Sequence, residues 1–109
     1  MKANEDPLRR HSLHKRSSFT DRLQERGIAG PQFAAVTNYL YVRLFGTDAS
    51  GLRKRFSIPP TAKVRDSLPA EDLAKVVLTE SRVATILEDP SVRITEAIDR
   101  VAIFLVTMP

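Results

Sequence analysis

Apolar residues recur along most of the chain at helical intervals. Phe33, Val36, Leu40 and Leu44 follow one another at spacings of three, four and four, the stripe of one helix face, and Tyr39, Tyr41 and Phe45 widen it. Gly30-Pro31 opens this helix, because proline is tolerated in a first turn whose N–H groups have no partner, and Gly46 closes it. Ahead of it, Phe19 to Arg26 reads as a short helix with Phe19 and Leu23 on one face, Ser17 or Ser18 as cap and Gly27 as stop; Ile28 packs just beyond. Asp48 caps a third helix, roughly Ala49 to Phe56, with Leu52 and Phe56 pointing inward and Arg53, Lys54 and Arg55 fanning over the other faces. Ile58-Pro59-Pro60 ends it, since proline disfavours helical geometry at the residue before it.

Residues 59–67 read as a loop. A fourth helix follows from about Pro69 to Glu88, with Leu68 and Leu73 placed as a hydrophobic staple and Glu71 and Asp72 in a first turn that favours negative charge. Its apolar stripe, Leu73, Val76, Val77, Val83, Ala84 and Leu87, contains one charged residue, Glu80. A buried carboxylate needs a partner, and Arg65 in the preceding loop is in reach. Asp89-Pro90 then predicts a cap and first turn for a fifth helix, Ser91 to Thr107, carrying Ile94, Ile98, Val101 and Leu105 on one face. From Val101 to Val106 this helix is apolar all round, so its end should be buried in this core or against another chain.

No segment alternates like a strand, and no internal repeat is visible. The expected fold is all-α, a single small domain of about five helices over residues 17–109, preceded by a flexible basic arm at residues 1–16 in which only Leu8 and Leu13 are large and aliphatic. A length of 109 residues fits one domain. The chain has no Cys, which excludes disulfides, thiolate metal sites and thiol catalysis. The two histidines, His11 and His14, lie in the arm without further ligands nearby, so no metal site and no cofactor are expected. The longest apolar run, Val101 to Val106, falls far short of the ~20 residues of a membrane span, and the arm lacks the apolar stretch of a signal peptide; a cytoplasmic protein with no membrane partner is expected.

Charge changes the picture most. The net charge of +4 divides into +8 over residues 1–65 and −4 over residues 66–109. Such polarity suits a polyanionic partner or association between unlike ends, and equally a solvated basic face. The candidate nucleic-acid contacts are Arg9, Arg10, Lys15 and Arg16 in the arm and Arg43, Arg53, Lys54, Arg55, Lys63 and Arg65 in the body. Helices two and three, joined through Gly46, are spaced like a helix-turn-helix that presents Ser50, Arg53, Lys54 and Arg55, although an ordinary core hairpin with a basic exterior has the same pattern. Tyr39, Tyr41 and Arg43 could stack bases, but residues two apart on a helix diverge by ~200°, so one tyrosine belongs to the core.

No phosphate-binding loop, nucleophile elbow or paired histidines are present, and a binding protein rather than an enzyme is expected, with no small-molecule substrate. A hydrolytic pair of Glu80 and Asp66 is the remaining catalytic option. The string Thr37-Asn38-Tyr39, Tyr41, Leu44-Phe45-Gly46, Ala49, Leu52, Arg65-Asp66-Ser67-Leu68, Glu71-Asp72-Leu73-Ala74 and Glu80 resembles the DNA-damage-inducible protein D family, related to phage and viral BRO-type regulators, over residues 33–88. Members are longer, with a further N-terminal region where this chain has its short basic arm. The resemblance implies a role in the DNA-damage response or phage–host regulation, where members modulate recombinase filaments on single-stranded DNA, and it brings no catalytic residues. The resulting expectation is a regulatory nucleic-acid-associated protein acting by phosphate contact. The competing one is a protein–protein module without DNA contact, a homodimer or a partner complex formed through Ile98, Val101, Phe104 and Leu105.

Overall fold

The computed structural model describes residues 18–107, and every regular element among them is helical. The expected basic arm, with Arg9, Arg10, His11, His14, Lys15 and Arg16, lies outside the described residues. Helix α1 occupies 18–25 and buries Phe19 and Leu23 completely. Ser18 is already helical and so is not the cap. Gly27 takes φ +80°, which lets the Ile28 N–H return to the Leu23 carbonyl and close the helix.

Helix α2, Pro31–Phe45, has the limits its glycines and proline predict. Gly30 adopts φ 59°, ψ −130°, a conformation open essentially to glycine alone, and Gly46 is left-handed with its N–H on the Val42 carbonyl. Helix α3, Ala49–Arg55, receives two side-chain caps: Asp48 accepts from the Gly51 N–H, and Asn38 of α2 accepts from the Ala49 N–H at 3.1 Å. It ends in a Schellman turn, the Ile58 N–H bonding the Arg53 carbonyl, with Ser57 at φ 54° in the position glycine usually fills.

The expected loop 59–67 contains a sixth helix, the single turn α4, Val64–Ser67. Only Val64 in it is buried, so no periodic stripe marks it in the sequence. Helix α5, Ala70–Ile86, starts after Pro69 with Leu68 and Leu73 both in the core, as the staple requires.

Helix α6, Ile94–Thr107, begins three residues later than expected. Asp89 does not cap it. Its carboxylate turns back on Ser91, accepting from both the backbone N–H at 3.0 Å and the hydroxyl at 2.7 Å, and the Val92 N–H bonds the Asp89 carbonyl. Asp-Pro here makes a turn of the Asx kind, an alternative use of the same two residues. These bonds to Ser91 hold the Asp89 carboxyl below the ordinary carboxylate range.

Helix α6 packs against both α2 and α5, and α3 packs mainly against α4. The core runs from Phe19 and Leu23 through Leu40, Leu52, Val76 and Val83 to Ile98. Arg26, at the end of α1, donates to the carbonyls of Leu87 at 2.9 Å and Asp89 at 2.8 Å and also to that of Val92. One guanidinium thus satisfies the C-terminal end of α5 and the turn leading to α6.

Candidate functional site

The cations of residues 31–65 fall into two groups once their partners are traced. Arg43 on α2 pairs with Asp99 on α6 at 3.0 Å, and the Tyr39 hydroxyl donates to the same carboxylate oxygen at 2.8 Å. The hydrogen bond to Asp99, together with burial, holds the Tyr39 hydroxyl above its ordinary pKa of 10.0. Tyr41, two residues on, is core and tilts against Phe45 with ring centroids 6.2 Å apart. The three residues considered for base stacking therefore hold α2 to α6 and to the core.

Arg65 is paired as well. Its Nη2 lies 2.9 Å from Glu80 Oε1, with 12% and 1% of the two side chains exposed. Glu80 is thus a structural carboxylate sealed in the core beside a cation, as its place in the apolar stripe predicts. Asp66 of the suggested hydrolytic pair stands on the surface instead.

Arg53, Lys54, Arg55 and Lys63 form the second group. Among the described residues no carboxylate pairs with any of them. Arg53 donates from one nitrogen to the carbonyls of Pro59 and Ala62, both at 2.8 Å, and so folds the loop after α3 back along the helix. That brings Lys63, at the start of α4, beside the C-terminal turn of α3. Arg55 donates to the Phe45 carbonyl at 3.2 Å, while Ser50, Lys54, Arg55 and Lys63 are all exposed. Three cations in the last turn of α3 also complement its helix dipole. The result is a region of four positive charges on α3 and at the start of α4; the carboxylates belonging to these elements are Asp48, the cap at the N-terminal end of α3, and Asp66 on α4.

A second surface lies between α5 and α6. Leu78, Arg82 and Ile86 form one wall, and Arg100, Phe104 and Leu105 the other. Phe104 is 69% exposed, and Ile103 and Val106 beside it are exposed too. Of the four residues expected at an interface, Ile98 and Val101 belong to the chain's own core, because α6 turns them toward α2 and α5; Leu105 is half-buried and Phe104 stands free of the core. Sequence reasoning passed over Arg82 and Leu78, whose position opposite Phe104 depends on helix pairing. It also passed over Asn38, which caps the helix after its own, and Arg26, whose contacts are more than sixty residues away along the chain.

Among the described residues no helix is long and apolar enough to cross a membrane, and no group of three or more His, Asp or Glu is placed to hold a metal ion. No family model, curated protein or solved structure matches the chain.

Proposed function

We propose that the chain is a regulatory, nucleic-acid-associated binding protein that contacts phosphate through α3, α4 and the loop between them. One observation carries this reading: among the described residues Arg53, Lys54, Arg55 and Lys63, gathered on α3 and at the start of α4, pair with no carboxylate, whereas Arg43 and Arg65 are engaged by Asp99 and Glu80. Unneutralised cations in a cluster raise the local potential and release counterions when they meet phosphate. The body contacts thus reduce from six to four, with Arg9, Arg10, Lys15 and Arg16 of the arm adding sequence-independent contacts. The resemblance of residues 33–88 to DNA-damage-inducible protein D proteins supports a setting in the DNA-damage response or phage–host regulation, in the cytoplasm, with binding rather than catalysis as the activity.

The test is fluorescence anisotropy with labelled single- and double-stranded DNA of about 20 nucleotides, long enough to span several phosphate contacts, at about 50–200 mM salt. Lys54→Ala/Arg55→Ala/Lys63→Ala is the informative variant, because Arg53 must stay to hold the loop. Binding with a steep salt slope is expected, and for duplex DNA the removal of each phosphate-binding cation lowers that slope by about 0.9. Binding that is absent, or equal in the variant, would overturn the proposal. A second reading, a protein–protein module with no DNA contact, is favoured by the exposure of Ile103, Phe104 and Val106 and requires that absence.

A further inference from the structure

The groove between α5 and α6 stands apart from the basic surface, and its chemistry differs. Its walls are apolar, Leu78 and Ile86 on α5 facing Phe104 and Leu105 on α6. Each wall also carries one arginine, Arg82 on α5 and Arg100 on α6. Arg100 is engaged by Glu96 one turn earlier on its own helix. Arg82 is exposed and has no ion pair among the described residues.

We propose that this groove docks an acidic amphipathic helix of a partner protein. A groove between two helices accepts a third, whose apolar residues at i, i+3 or i+4 and i+7 fill the floor. Arg82, with no ion pair among the described residues, selects a carboxylate on one flank of that apolar stripe, and Arg100 takes one on the other by exchanging its solvent-exposed pair with Glu96; arginine binds carboxylate as a fork. Exposed Phe104 supplies the aromatic anchor on which such interfaces concentrate their affinity. A second copy of this chain suits the groove poorly. A two-fold pairing brings the groove arginines of the two copies together, and the groove lining holds no acid to meet them. A bare phosphate backbone has no use for the apolar floor. The inference holds whether or not α3 and α4 bind nucleic acid, since no residue is shared.

The experiment selects from a displayed library of helix-promoting peptides about 16 residues long, between four and five turns. The full-length protein is the target, and Phe104→Ser serves for counter-selection. Phe104, Arg82 and Arg100 are exposed, so their variants should keep the wild-type circular dichroism spectrum, which is recorded alongside. Enriched peptides are expected to carry an apolar stripe flanked on both sides by Asp or Glu. A synthetic copy should bind at least about tenfold more weakly to Phe104→Ala and to Arg82→Glu/Arg100→Glu. The charge-reversed protein should recover binding to the same peptide with its acids changed to Lys. No enrichment, or enrichment without acidic bias, would overturn the proposal. So would a dimer in light scattering that Phe104→Ala splits, because a second copy would then fill the groove. Displacement of the peptide by phosphatidylglycerol vesicles would overturn it too, by making the face a lipid surface.

Discussion

Placing a carboxylate among valines and leucines costs desolvation energy unless a cation comes with it, and Arg65 of α4 is the cation brought to Glu80. The pair ties a one-turn helix to the middle of α5. Arg65→Met deprives the buried carboxylate of the charge beside it and should lower stability by about 3–5 kcal/mol in urea unfolding. Arg65→Met/Glu80→Leu, which removes both charges, should recover most of that loss, because apolar replacements of a buried pair are often neutral or stabilising. Equal loss in the single and double variants would mean that packing, not charge, is what Arg65 contributes. Glu80 was legible in the sequence because one charge interrupted an apolar stripe, and Arg65 because it was the nearby base. The pairing of Arg43 and Tyr39 with Asp99 was not legible, since those residues meet only after α2 packs on α6. Sequence shows that a residue is basic. Whether its charge is used internally depends on contacts that form with the fold.

Helix limits were legible wherever backbone chemistry marks them. Proline at the start of α2 and positive-φ glycine at its end leave little freedom, and Asp48, accepting from the Gly51 N–H, fixes the start of α3. Where one signal has two structural uses, it misleads: Asp89-Pro90 forms a turn held by Ser91, and α6 starts only at Ile94. Helix α4 escaped notice because one turn has no periodicity to detect. The docking of α1 also lay beyond the sequence, because it depends on Arg26 reaching three carbonyls around the α5–α6 turn. Arg26→Met keeps the aliphatic stem and removes the donors. Bonds from a charged donor contribute about 1.5–3 kcal/mol each when buried, and these are partly exposed, so a total loss of roughly 2–3 kcal/mol is expected. Hydrogen exchange should quicken first in 18–25 and around 87–93. A uniform change across the chain, or none, would show that Phe19 and Leu23 alone hold α1 in place.

Across the whole molecule, folding sorts charge and apolar surface into two regions. The +8 of residues 1–65 is reduced locally by Asp99 and Glu80, both from the acidic half, so that the remaining cations of residues 31–65 lie on α3 and at the start of α4. The apolar excess of α6 is divided in the same way: Ile98, Val101 and Ala102 enter the core, and Ile103, Phe104 and Val106 stay outside. The proposed nucleic-acid contact lies in the first region and leaves the second untouched. A titration of the ¹⁵N-labelled full chain with short single- and double-stranded DNA, followed by amide chemical shifts, tests it most directly. Shifts among the described residues are expected to cluster at 50–56 and 59–66 and to leave 78–86 and 100–106 unchanged. An absence of shifts at low salt, or shifts centred on the α5–α6 groove, would contradict it.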